Sequence, residues 1–188
     1  MPTKIIVAIT GASGSIYAKH LLEQLTKLKN GPKEISLIFS ESGKKVWDYE
    51  IGSTVVESSI IHQYSYNDFF APVASGSAGY DAMVIIPCSM GTLGRIASGT
   101  SDDLISRAAD VMLKERKKLI LVTREAPLNL IHIENMKTIT LAGGIIYPAS
   151  PSFYSKPNTK DELELTVVNR VLDILGFETE IKRWGEKI

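Results

Sequence analysis

Five short, nearly continuous apolar runs constrain this chain more than any other feature: KIIVAIT at Lys4–Thr10, EISLIF at Glu34–Phe39, AMVIIP at Ala82–Pro87, KLILVT at Lys118–Thr123 and GIIY at Gly144–Tyr147. Runs of this length without polar alternation suit strands covered on both faces, the condition of a parallel sheet. Helical spacing fills the gaps. Ile16, Ala18, Leu21, Leu22, Leu25 and Leu28 follow the first run, until Asn30-Gly31-Pro32 stops the helix. Helices are predicted over Lys44–Glu50, Thr54–Ile61, Gly91–Ala97, Asp103–Glu115 and Asn129–Lys137, with His62–Tyr80 irregular. A last helix over Glu162–Leu175 presents Leu163, Val167, Val168, Val171, Leu172 and Leu175 on one face and closes at Gly176. Strands alternating with helices predict a doubly wound parallel α/β sheet, a three-layer Rossmann-like or flavodoxin-like sandwich.

The bulk properties remove whole classes of function. Lys+Arg and Asp+Glu both total 21, so no net charge gathers nucleic acid or a membrane surface. No apolar stretch approaches the roughly 20 residues of a membrane span. One cysteine excludes an internal disulfide. The N-terminus lacks a signal-peptide pattern, and a cytoplasmic protein is expected. Residues 1–177 are expected to form one domain. Residues 178–188 form a polar tail whose Trp184 is expected to pack at a subunit interface. His20, His62 and His132 are scattered without metal-ligand spacing, so no metal is expected.

Ligands of such sheets sit beyond the carboxyl ends of the strands, and the unusual residues follow those ends. Gly11-Ala12-Ser13-Gly14 is not a dinucleotide fingerprint, because Ser13 and Ile16 occupy its second and third glycine positions. It suits a mononucleotide phosphate or a flavin, with Ser13 and Ser15 donating, and equally a plain tight turn with a serine cap. Ser40 ends the second run. Cys88-Ser89-Met90-Gly91-Thr92 ends the third; Cys88 reads as a small buried residue rather than a nucleophile. Arg107 and Lys114, seven residues apart, share a helix face. They either converge on phosphate or pair with Asp103, Asp110 and Glu115. Arg124-Glu125 ends the fourth run and reads as a flavin or phosphate contact, or as a surface ion pair. Pro148-Ala149-Ser150-Pro151-Ser152-Phe153-Tyr154 is a stiff loop that holds Tyr154, with Arg170 as its candidate partner. Glu50, read alone, is a solvated carboxylate.

Taken together, ITGASG at Ile9–Gly14, Ser40 with Glu50 ten residues on, and PCSMGTLGRIASG at Pro87–Gly99 resemble the UbiX/Pad flavin prenyltransferase family. SDDLISRAADVMLKERKKLILVTREAPL at Ser101–Leu128, PASPSFY at Pro148–Tyr154 and VVNRVLDILGF at Val167–Phe177 extend the resemblance over almost the whole chain. It implies a metal-independent enzyme that joins the dimethylallyl group of dimethylallyl monophosphate to N5 and C6 of reduced FMN and releases phosphate. FMN is then substrate as much as cofactor, and the prenylated FMN serves a partner UbiD-like decarboxylase. The resemblance also implies a homododecamer with sites at subunit interfaces. By motif position, Gly11, Ala12, Ser13, Ser40, Ser89, Met90, Gly91, Thr92 and Arg124 hold FMN. Arg107, Lys114, Glu125, Tyr154, Arg170 and Trp184 hold the donor, and Ser13, Glu50, Glu125 and Lys114 take catalytic roles. One departure stands out: Ala78 occupies a position that is usually aromatic in the family, with Tyr80 as the available substitute. The competing readings are an FMN-dependent decarboxylase of the cysteine-decarboxylase type, for which His62 is the candidate histidine, and a non-catalytic flavin-binding subunit.

Overall fold

The computed structural model describes residues 1–52, 54–179 and 185. Its strands are β1 (Lys4–Ile9), β2 (Glu34–Phe39), β3 (Ile61–Tyr64), β4 (Ala82–Cys88), β5 (Lys118–Thr123) and β6 (Ile145–Pro148). They form one parallel sheet in the order β3-β2-β1-β4-β5-β6. The helices are α1 (Ser15–Lys27), α2 (Glu41–Glu50), α3 (Met90–Ala97), α4 (Leu104–Lys114), α5 (Leu130–Leu141) and α6 (Lys160–Leu175). The strand order reverses between β1 and β4, which makes the gap beyond their carboxyl ends the switch point of the sheet.

Alternation along the strands builds two cores. Ile5, Val7 and Ile9 of β1 pack with Leu21, Leu22, Trp47, Val167 and Val171 on one face, under α1, α2 and α6. Ile6 and Ala8 pack with Leu93, Ile105, Ala108 and Met112 on the other, under α3 and α4. Both faces are covered, hence the unbroken apolar runs. The expected doubly wound, three-layer α/β/α architecture is what the chain adopts. Among the described residues no helix is long and apolar enough to cross a membrane.

Two expectations are corrected. Residues 54–60 carry no helix, and Ile61–Tyr64, from the end of that expected helix into the segment expected to be irregular, is the edge strand β3. It pairs only with β2, and its two central residues are exposed, so IHQY has no apolar run to betray it. Residues 72–74 and 76–78 form two single 3-10 turns. On α6 the buried position belongs to Glu164, while Leu163 is half-buried. Glu164 lies 3.2 Å from His20 Nε2 and 3.4 Å from Lys160 Nζ, partners that offset the burial of its charge.

Candidate active site

The β1–β4 ladder ends at Ala8 and Ile85, and beyond it the two strands part. Thr10 spans the opening. Its backbone N–H and its hydroxyl both donate to the Pro87 carbonyl, at 3.2 and 2.8 Å, and the hydroxyl accepts the Ser89 N–H at 2.8 Å. Gly11 and Gly43 are required by packing. A Cβ on Gly11 would meet Ser42 Cβ at 2.5 Å, and one on Gly43 would meet the Ile9 carbonyl oxygen at 2.3 Å. The β1 exit and the start of α2 therefore interlock, bringing Ser40 to the crevice. Ser40 caps α2 by accepting the Gly43 N–H at 2.9 Å, which leaves its own hydroxyl proton to donate.

The end of α2 returns to the start of α1. Glu50 accepts the N–H groups of Gly14 and Ser15, each at 2.9 Å, together with a hydrogen bond from the Ser13 side chain. Burial, the largest single influence, pushes the Glu50 pKa up. The hydrogen bonds together outweigh it and hold the carboxyl below its ordinary range. The anion held at the positive end of α1 within this chain is therefore Glu50.

Across the crevice, Ser89 caps α3. Its hydroxyl accepts the Thr92 N–H at 3.3 Å and donates to Thr92 Oγ1 at 3.1 Å. A Cβ placed on Gly91 meets nothing within 4 Å, so α3 opens onto free space at its second residue. Cys88 is fully buried, and burial pushes its thiol up to about 12, which accords with a small packed residue and not a nucleophile. Arg124 leaves the end of β5 and donates from Nε to the Ser13 carbonyl at 3.0 Å. Glu125 is exposed and accepts from the N–H of Ala126. Gly11, Ala12, Ser13, Ser40, Glu50, Ser89, Met90, Gly91, Thr92, Arg124 and Glu125 thus share the carboxyl edge of the sheet.

Tyr154 and Arg170 form a second group beside β6. Tyr147 is influenced by the charges of Arg170, Tyr154 and Tyr17; burial is the largest effect and raises its pKa, against the pull of Arg170. Tyr17 in turn is raised chiefly by burial, with Arg124 opposing, which links this group to the crevice. Arg170 is tied to Asp173. Sequence reasoning gave Thr10 no role of its own and missed Tyr17 and Tyr147. The hydroxyl ending an apolar strand was the visible signal for Thr10; the tyrosines carried none.

Arg107 and Lys114 stand apart. Arg107 binds Asp110 at 2.9 Å and the Ala74 carbonyl at 3.1 Å; Lys114 binds Glu115 at 2.5 Å. Arg107–Asp110 is a pairing that helical spacing predicts, whereas Glu115 is the sequence neighbour of Lys114 and Asp103 pairs with Arg95 at 3.2 Å instead. Lys114 ends α4 four residues before β5 begins, and Arg124 follows β5 directly. The strand alone separates their ends by about 17 Å at 3.3 Å per residue. The expected convergence of Lys114 with Glu125 does not occur within one chain. Tyr80 does not stand in for the aromatic residue at Ala78 either: it is buried, with its hydroxyl on Ser36 at 2.7 Å and on Glu34 at 2.9 Å. Trp184 lies outside the described residues.

His62 lies exposed on the edge strand β3, away from the switch point. Among the described residues, His20, Asp161 and Glu164 place three possible metal-ligand atoms within 4.8 Å of one another, between α1 and α6, where the Lys160 ammonium already pairs with Glu164.

A family model described as Flavoprotein matches residues 1–171. The chain is 48% identical to the flavin prenyltransferase UbiX of Methanocaldococcus jannaschii, over 97% of this chain and 98% of the relative. A crystal structure of AnUbiX in complex with FMN and dimethylallyl pyrophosphate is 40% identical, with a TM-score of 0.90 over the whole of both chains. A crystal structure described as a dodecameric FMN-dependent UbiX-like decarboxylase from Escherichia coli O157:H7 is 39% identical, with a TM-score of 0.87, covering 96% of this chain and 98% of that one.

Proposed function

This chain belongs to the flavoprotein family and, within it, to the UbiX flavin prenyltransferases, and from that premise we propose how its own residues carry out prenyl transfer. The observation that carries the reading is the ionised Glu50 held by Ser13, Gly14 and Ser15 at the mouth of the β1–β4 crevice. The residues present fit a flavin mononucleotide. Gly91 leaves the space, Ser40 and Thr92 supply hydroxyls, Ser89 holds the Thr92 hydroxyl in place, and Arg124 supplies a cation suited to electron-rich carbonyls. Gly11, Ala12, Ser13 and Met90 complete that wall.

When bound, reduced FMN supplies two nucleophilic positions, N5 and C6. Over the reaction, the donor C1′–O bond breaks with its electron pair leaving on phosphate. N5 takes C1′ and C6 takes C3′, each giving up a proton, and one proton is added at C2′. Tyr154 and Arg170, with Arg107 and Lys114, hold the phosphate and stabilise the charge developing on it. Glu50 is ionised near neutrality and serves as the base that receives the C6 proton, with Ser13 fixing its orientation and Glu125 assisting at the donor pocket.

Lys114 lies at the opposite sheet edge from Glu50, so the donor pocket is completed by a neighbouring copy. The exterior of α5 favours assembly: Leu130, Ile131, Ile133 and Leu141 are exposed, and Ile139 is its one buried residue. A homododecamer with the tail from residue 178 at a subunit contact, a cytoplasmic location, and delivery of the product to a UbiD-like decarboxylase complete the proposal. A decarboxylase of the cysteine-decarboxylase type finds no support in the exposed edge position of His62.

Anaerobic incubation of the protein with reduced FMN and dimethylallyl monophosphate, or the pyrophosphate in a parallel arm, tests the reading. Mass spectrometry should find a flavin heavier by one C5 unit. Unmodified flavin with both donors, despite demonstrated FMN binding, would leave a binding-only subunit as the better description.

A further inference from the structure

Thr10 is 1% exposed, too deeply buried to meet a ligand, yet its hydroxyl joins the two walls of the crevice. The β1–β4 ladder stops two residues before it, at Ala8 and Ile85. Past that point the bonds from Thr10 to the Pro87 carbonyl and from the Ser89 N–H to Thr10 Oγ1 join the β1 exit to the β4 exit. Pro87 has no N–H to return a bond. One hydroxyl thus uses its donor on β4 and one of its acceptor sites on the first residue of the α3 turn.

The second of those bonds sets where α3 begins. Ser89 is the cap of α3, and its hydroxyl is already committed to Thr92 on both sides, accepting from the N–H and donating to Oγ1. The position of that pair relative to β1 depends on what holds the Ser89 backbone, and Thr10 Oγ1 holds it at 2.8 Å. We propose that Thr10 is the positioning residue that sets the width of the flavin crevice, its hydroxyl fixing the Ser89–Thr92 wall against the Gly11–Ser13 wall. The inference rests on the reading that these walls hold FMN.

The test is FMN binding by the intact protein, followed by flavin fluorescence quenching, with thermal melting in parallel. Thr10→Val keeps the shape and removes both side-chain bonds, and FMN should bind about tenfold more weakly. Thr10→Ser restores the hydroxyl and should bind within about twofold of the native protein. In turnover, Thr10→Val should raise KM for FMN more than it lowers kcat. Native affinity in Thr10→Val, or an equal loss in Thr10→Ser, overturns the proposal. If Thr10→Val gives no folded protein, Thr10→Ser is compared with Thr10→Cys, whose thiol is a weak hydrogen-bonding group of similar size. Weaker binding by the cysteine variant alone supports the tether, and equal binding by the two overturns it. Ser89→Ala and Arg124→Ala serve as the separate arm, since they leave the Thr10 bonds in place. If both bind FMN as the native protein does, the assignment of the walls to the flavin fails, and the inference fails with it for that distinct reason.

Discussion

Glu50 caps the start of α1, and that observed role and its proposed role as base make separable predictions. In Glu50→Gln the amide oxygen still accepts from Gly14 and Ser15, so the variant should fold and bind FMN, while formation of the prenylated product falls by about two orders of magnitude. Mass spectrometry and binding titration on one preparation check both halves. The pH dependence follows from the direction of the shift. A carboxyl lowered in the folded state contributes stability above its unfolded pKa, about 4.3 for glutamate. That contribution is lost as pH falls through the lower folded value. Melting temperatures of native protein and Glu50→Gln should therefore differ most near neutrality and converge in acid; a constant gap would show that the charge contributes nothing to the cap. None of this was readable from the residue itself, since Glu50 lies 36 positions from Gly14 and only the return of α2 onto α1 joins them. Thr10 was equally silent beyond ending a strand.

At the level of elements, two glycines of the same crevice should respond in opposite ways. In Gly43→Ala the new Cβ lies 2.3 Å from the Ile9 carbonyl oxygen, which is backbone and cannot move alone. The start of α2 must shift, and the protein should lose about 2 kcal/mol, read by denaturant unfolding. In Gly91→Ala the Cβ enters open space within a helix, so stability should hold or rise by a few tenths of a kcal/mol. The methyl occupies the room assigned to the flavin, and FMN affinity should drop about tenfold in titration. Elements buried on both faces were legible because burial writes itself into composition: KIIVAIT and KLILVT fall where β1 and β5 form. β3 was missed for the converse reason, as an edge strand with polar residues outward. On α6, Glu164 holds a buried position that a hydrophobicity pattern assigns to its neighbour, because only tertiary partners make that burial tolerable. The carboxyl-edge residues were found because glycine and hydroxyl clusters at strand exits are local; the Asp110 partner of Arg107 was foreseeable from spacing, and the distance of Lys114 from Arg124 was not.

For the molecule as a whole, the separation of Lys114 from Glu50 by the length of a strand is the governing fact. Two consequences can be measured. Ile131→Asp places a charge on the apolar exterior of α5 and should break the assembly into smaller species by light scattering, with prenyl transfer lost while the individual subunits stay folded. Lys114→Ala and Glu50→Gln, each inactive when produced alone, should regain a measurable share of activity when co-expressed, because some pockets then combine an intact Glu50 with an intact Lys114 from a neighbour. Failure to regain any would place both residues in the pocket of a single copy. The same arrangement has a consequence for inheritance. With the donor pocket shared between copies as proposed, a defective allele would not simply withdraw its own share of product; each faulty copy would lend a blank wall to the pockets of sound neighbours. Damage on α4 would therefore act dominantly in a cell that carries both alleles, out of proportion to its dose.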